Sequence, residues 1–216
     1  MDWELAAWQL TWLCIAPKRV YRNVYFHKET KNYWARDDPA ILILISACLV
    51  VSAIAWSFVH SYDTPHIIRL AFLMVFRDFL AVGALIATCL WFVSNKLLLQ
   101  PPTAYSVEES NKVEWAYAFD VHTNAFFPLY LSLYLAQLFL APVITKDNWV
   151  CLWVGNSLYL ASLAQYTYIT YLGFNALPFL VRSELLLFPL LPLFVGYLIS
   201  LLGFNVSKHV LGAYFS

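Results

Sequence analysis

The sequence predicts an all-α membrane protein: five transmembrane helices preceded by an amphipathic N-terminal helix lying in the membrane interface. Three observations carry that expectation. Of 216 residues, 62% are hydrophobic and 12% charged, against roughly 45–50% and about 25% in ordinary soluble domains. Five apolar runs reach the roughly 20 residues a helix needs to span about 30 Å of hydrocarbon. Nine Trp and 14 Tyr suit the headgroup level of a bilayer, where amphipathic rings collect. A net charge of zero argues against a nucleic-acid partner.

Residues 1–39 read as a module of their own. Trp3 to Ala16 is helix-compatible, apolar and rich in tryptophan, and Pro17 ends it. Such a run is too short to span, so it is expected to lie in the interface or dock on the bundle. Asp2 and Glu4 precede it where a signal peptide carries basic residues, so no cleavable signal peptide is expected. Behind it Lys18, Arg19, Arg22, Lys28 and Lys31 form a basic tract among aromatics. That tract either contacts anionic lipid headgroups or simply sets topology.

Residues 40–216 read as the bundle, with spans near 40–59, 70–93, 125–144, 149–172 and 185–202. The short loops after the first and third spans predict two hairpins. Lys and Arg concentrate in the N-terminal segment and in the loops after the second and fourth spans, so the N-terminus is expected in the cytosol and the C-terminus in the lumen. Asn205-Val206-Ser207 is a glycosylation sequon on the luminal side, expected to stay unused so near the last span. Pro189 and Pro192 predict a kink in the fifth span. Cys14, Cys48, Cys89 and Cys151 lie in apolar runs without a metal or redox spacing.

The stretch Val113–Phe127 holds two carboxylates, a histidine and several aromatics at the root of the third span. At about 100° per helical residue, Glu114, Tyr117, Asp120 and Asn124 share a face, and His122 points elsewhere. Ligands that do not converge make no metal site. The face either pins the cytosolic root of the span or docks a partner, and Trp34, Arg36, Asp37 and Asp38 are grouped with it on the same side. Within the spans the ionisable Arg77 and Asp78 stand out. As helix neighbours they are not expected to face each other: Arg77 would snorkel toward the luminal headgroups, and Asp78 would need a partner inside the bundle. The fourth span carries a stripe of Asn156, Tyr159, Ser162, Tyr166 and Thr170, with Gln165 nearby. Such a stripe glues helices or lines a cavity. No protease, hydrolase or nucleotide-binding motif occurs, so no catalytic residue, cofactor or metal is predicted.

Four segments together resemble one family. They are Pro17-Lys18-Arg19-Val20-Tyr21-Arg22-Asn23, Trp34-Ala35-Arg36-Asp37-Asp38-Pro39, Val113 to His122 with Asn124-Ala125-Phe126, and Leu172 to Leu180. In this order the chain is similar to the Uncoordinated-fifty family of Golgi and endoplasmic-reticulum membrane proteins. The resemblance implies a five-span, non-enzymatic Golgi protein, with the endoplasmic reticulum as a further location. It also implies a role in vesicular transport and in surface delivery of selected membrane cargo, including nicotinic acetylcholine receptors in animals. A fungal relative is associated with large guanine-nucleotide exchange factors for Arf GTPases, which makes such factors, receptor or channel cargo and membrane lipids the expected partners. The RNA binding proposed for one animal member finds no support in these residues. The longer polar N-terminal extension of some members is not seen here, so a partner reading it is not expected. A different reading is a small transporter, channel or lipid scramblase using Asp78 and the fourth-span stripe.

Overall fold

Five long helices run antiparallel to their chain neighbours, and two short helices of the N-terminal module close one end of the bundle. The computed structural model describes residues 1–22, 33–100 and 112–215, so Lys28 and Lys31 lie outside the described residues. The module is α1 (Trp3–Ile15) followed by α2 (Pro17–Tyr21). Asp2 caps α1 by accepting from the Leu5 amide, and Pro17 opens α2 at the first helical position, where its missing N–H costs nothing.

The bundle consists of α3 (Ala40–Val59), α4 (Thr64–Leu98), α5 (Trp115–Ile144), α6 (Trp149–Asn175) and α7 (Ser183–Ser200). Among the described residues, α3, α4, α5 and α7 are the helices long and apolar enough to cross a membrane. α6 has 27 residues, about 40 Å at about 1.5 Å per residue, and its polar stripe lowers its hydropathy. A last helix, α8 (Val206–Tyr214), has no counterpart in the expected spans. It folds back against α6 and the α4–α5 groove at the end opposite the N-terminal module. The two hairpins are present: α3 packs on α4, and α5 on α6. In α7 the helix is interrupted at Phe188–Pro189, between a 3-10 turn and the α-helical part, as the prolines require.

Two expectations are corrected. α1 is not amphipathic: Ala6, Leu10 and Leu13 are buried on the bundle, while Trp3, Leu5, Trp8 and Ile15 remain exposed. Its apolar residues lie on both its packed and its exposed sides, so it carries no separate polar stripe. Also, α4 and α5 are longer than expected, beginning at Thr64 and Trp115. Pro65 starts α4. At Trp115 the polar root is itself helical, because its polar groups find partners in the N-terminal module.

Inside α4 and α5 the winding relaxes to i→i+5 at Leu73–Ala81, Ser94–Leu98 and Leu131–Ala136. Pro128, lacking an amide, precedes the last of these. Such π segments free carbonyls for neighbours and recur at functional sites. Here the Phe79 carbonyl lies 3.2 Å from His122 Nε2, and the Tyr134 carbonyl accepts from Trp56 Nε1 at 2.9 Å.

Candidate functional site

At the end that carries the N-terminal module, the root of α5 holds the polypeptide by its amides. Glu114 stands at the N-cap of α5. Its carboxylate accepts from the Trp34 amide at 3.1 and 3.2 Å and from the Ala35 amide at 3.2 Å. One turn and a half later, Asp120 accepts from the Arg36 amide at 2.5 Å. Arg36 then donates through Nη2 to Asn124 Oδ1 at 2.8 Å. Asp38 ties two helix starts together, accepting from the amides of Asp2 (2.5 Å) and Ala40 (3.0 Å). Charge-assisted bonds of this kind are the stronger class. Asp37 stays exposed.

The helix-wheel expectation holds. Tyr117, Asp120 and Asn124 share one face and line, with Tyr21, Trp34 and Arg36, a cavity of about 240 Å³. Tyr117 donates to the Gly173 carbonyl at 2.6 Å, joining α5 to the C-terminal turn of α6. Burial pushes the Tyr21 phenol well above its usual range, so it stays a neutral hydrogen-bonding group. Most of the polar groups predicted for partner docking are therefore spent internally. What this end presents outward is Trp3, Leu5 and Trp8 of α1, Lys18 and Arg19 of α2 (the Arg19 guanidinium 4.1 Å over the Trp12 ring), Arg22 and Trp115. At the same end Leu98 and Leu99 pair with Phe179 to Val181, through Gln100 N to Phe179 O (3.0 Å) and Val181 N to Leu98 O (2.8 Å).

His122 lies off that face, as expected, and it is buried. Nδ1 is 2.7 Å from the Tyr166 hydroxyl, and Nε2 faces the Phe79 carbonyl. The carbonyl side takes the N–H, so Nδ1 accepts, an assignment made from the partners. The ring fills the space over Gly83, where a Cβ would lie 2.3 Å from Nε2. One histidine thus joins α4, α5 and α6. Among the described residues, no three His, Cys, Asp or Glu side chains gather as metal ligands.

At the opposite end a second cavity of about 330 Å³ opens between α3, α4, α5, α6 and α8. Asp78 is among the residues that line it. The structure corrects the expectation that Arg77 and Asp78 cannot meet: Arg77 Nε donates to Asp78 Oδ1 at 2.6 Å. Both sit in the π-wound part of α4, where each residue turns less than on an α-helix, so neighbours diverge less. The long arginine covers the remaining distance. Asp78 Oδ2 also accepts from Tyr134 (3.1 Å) and Tyr214 (2.5 Å). Burial first, and then its bond to Asp78, hold the Tyr214 phenol well above its usual range, so it remains a donor. Tyr134 and Tyr214 were not singled out in the sequence. An Asn N-cap at Asn205 before Val206–Tyr214 is the signal that marks α8.

The stripe on α6 serves as glue. Asn156 donates to Ser200 Oγ and the Phe204 carbonyl, both at 2.8 Å, and accepts from the Val206 amide. Tyr159 pairs with Gln137, Tyr166 with His122, and Ser162 bonds within its own helix. Gln165 is half-buried. Asn205 is buried, with Nδ2, the atom a glycan would need, donating to the Ile144 carbonyl at 2.8 Å. Between the two cavities lie buried Ala125 and Phe126, the latter packed on Phe79 at 4.9 Å between ring centroids.

The UNC-50 family model matches residues 1–215 of the chain. The mouse "Protein unc-50 homolog" is 46% identical over 217 residues, covering 100% of this chain and 82% of that one. The human "Protein unc-50 homolog" is 45% identical with the same coverage. The "Protein GMH1 homolog" of Schizosaccharomyces pombe is 40% identical over 215 residues, covering 100% of this chain and 92% of the relative. No solved structure matches.

Proposed function

The chain belongs to the UNC-50 family, and from that premise we propose that it is a non-enzymatic, five-span Golgi membrane protein acting in vesicular transport. In this reading its cytosolic end recruits large Arf exchange factors and so supports surface delivery of selected membrane cargo. The observation that carries the reading is the shelf built by α1 and α2. Carboxylates of α5 hold the connecting segment Trp34–Arg36 by its amides. The shelf leaves indoles and basic groups facing outward on one side. Tryptophan and arginine dominate binding hot spots, and the same residues sit well at lipid headgroups. The excess of Lys and Arg at that end supports an orientation with that end in the cytosol and the C-terminus in the lumen. α6 counts as the remaining span on length, with Asn156, Tyr159 and Tyr166 of its polar stripe bonded to neighbouring elements.

The test is affinity capture from mild detergent with the full chain and with Trp8→Ser, Arg19→Glu and both together. Recovery of Arf exchange factors is expected to fall at least fivefold in the double variant while thermal unfolding is unchanged. Equal recovery would sink the role of this face.

A second reading, a small transporter, channel or lipid scramblase, draws support from Asp78 lining a cavity. Against it stand the packed Phe79 and Phe126 between the two cavities and the bonding of Asn156, Tyr159, Ser162 and Tyr166 within the polar stripe. Liposomes containing the purified protein, assayed for ion flux and lipid exchange, separate the two readings. The first expects neither above the protein-free background.

A further inference from the structure

The cavity beneath α8 lies at the opposite end from the recruiting shelf, and the recruiting role does not use it. Its chemistry is two-sided. Trp56, Met74, Leu129, Leu133, Leu211 and Phe215 give it apolar walls. At its rim stands Arg77, with its side chain 49% exposed. That guanidinium is fixed from behind: Nε is bonded to Asp78, and the ring of Tyr214 lies 5.0 Å from its central carbon. A planar cation oriented this way, with its outer edge still half exposed, suits a phosphate, for which arginine offers paired donors.

The surroundings narrow the choice of ligand. On α4 the flanking Phe72 and Phe76 are stacked on each other and more than half exposed, at 58% and 52%. α4 is also one of the helices apolar enough to cross a membrane. Asp78 meets only the Nε side of this guanidinium; the rest of it, half exposed on such a surface, is costly unless a headgroup meets it. Arg69, nearer the same end, lines a smaller hollow that shares Tyr214 with the cavity, so a second cation stands on the headgroup side. Besides Asp78 there is Asp63 at the start of α4, bonded to His66, which lines that hollow. The cavity volume falls at the low end of ligand pockets, about 300–1,000 Å³, which suits one hydrocarbon chain better than a bulky solute. Two of the π-wound segments, those holding Asp78 and Tyr134, converge on this one cavity, and such segments recur at functional sites.

We propose that this cavity is a phospholipid site, with the phosphate on the outer edge of Arg77 and one acyl chain laid along Leu129, Leu133 and Leu211 beneath α8. Asp78, Tyr134 and Tyr214 position the guanidinium and do not touch the lipid. The site holds a lipid whether or not any lipid crosses the bilayer, so it is independent of the transport reading.

The experiment uses the full chain in nanodiscs of phosphatidylcholine doped with phosphatidylcholine carrying a photoreactive acyl chain, followed by peptide mapping. Labelling of the peptides around 129–134 and 210–214 is expected to exceed labelling of the exposed Phe139 and Leu198 regions by about tenfold. Arg77→Gln should lower the excess at least fivefold, and Arg77→Lys should lower it less. Because Arg77→Gln leaves Asp78 without its cation, Leu133→Trp, which fills the cavity and keeps the pair, is run beside it and should abolish the excess. Millimolar inorganic phosphate should not compete. Labelling no greater than at Phe139 and Leu198 means ordinary bilayer lipid and overturns the proposal. So does an excess that survives Leu133→Trp, or competition by phosphate alone. If the excess appears only when no second protein co-purifies, and acidic peptides of that protein crosslink to Arg77 instead, the site is a protein interface and the proposal fails.

Discussion

The two ends of this bundle are closed by opposite chemistry. At the N-terminal end, carboxylates fixed on α5 accept main-chain amides from the segment that leads into α3. At the other end a carboxylate fixed on α4 accepts side-chain hydroxyls from α5 and α8, and asparagines tie α8 down. Amide capture fixes a path for the backbone and tolerates almost any side chain on the captured segment. Hydroxyl capture depends on two particular tyrosines and leaves a cavity behind them. The first arrangement suits a scaffold that holds a surface in place. The second suits a pocket with a closable rim.

Five substitutions and one change of pH break or sharpen that contrast. The largest effect is expected from Gly83→Ala, because the new Cβ meets the buried His122 ring at 2.3 Å and neither helix has room to give. Overpacking of this kind costs about 3 kcal/mol, and both ends should loosen together in thermal unfolding. Survival of either end as a separate transition would show the ends to be independent units. Next comes Glu114→Ala, which strips the acceptor from two amides and should cost about 2–3 kcal/mol. Limited proteolysis should then cut within residues 1–39 while α8 stays protected.

The paired glycines sharpen the comparison further. Gly173→Ala at the first end drives a Cβ to 2.6 Å from Val121 Cγ2, a β-branched side chain without another rotamer to take, at about 2 kcal/mol. Gly155→Ala at the second end meets the Ser207 hydroxyl at 2.5 Å, which swings aside, so about 1 kcal/mol or less is expected. Equal melting temperatures for the two variants would erase the distinction. Tyr214→Phe removes one hydroxyl from Asp78 and should cost about 1 kcal/mol, seen as faster amide exchange in α8 alone.

The smallest effect is that of acid. The amide of Asp2 holds the Asp38 carboxyl below its ordinary range. A depressed carboxyl contributes stability above its unfolded value near 4 and loses it as pH falls through the folded value. Release of α1 from the start of α3, followed by tryptophan fluorescence, is therefore expected only below about pH 4.

Much of this was legible from residue order alone, for reasons that differ by element. The apolar runs marked α3 to α7 because length and hydropathy are properties of the chain itself. The turn of a helix put Glu114, Tyr117, Asp120 and Asn124 on one face and His122 off it, and the structure places them so. α8 escaped because nine residues with mixed polarity have no span-length signature, and only the cap at Asn205 announces them. The Arg77–Asp78 pair escaped because it depends on π winding, which changes the angle between neighbours. Nothing in Leu73–Ala81 marks that change, whereas Pro128 precedes the one in α5. The partners of the α5 root were also hidden, since the acceptors named in the sequence bind amides, and an amide carries no residue identity.

The carboxylate clamp has a consequence for synthesis. The amides of Trp34–Arg36 and their acceptors are 79 to 84 residues apart in the chain. At about 5–20 residues per second, the tryptophan-rich module waits roughly 4–16 s in the nascent chain before Glu114 and Asp120 emerge to receive it. Throughout that interval the amides of Trp34–Arg36 have no acceptor on α5. Seating of the module therefore reports that the root of the third long helix has been made. A ribosome stalled short of Glu114 leaves the N-terminal segment open to proteases, and one stalled well past Asn124 leaves it protected.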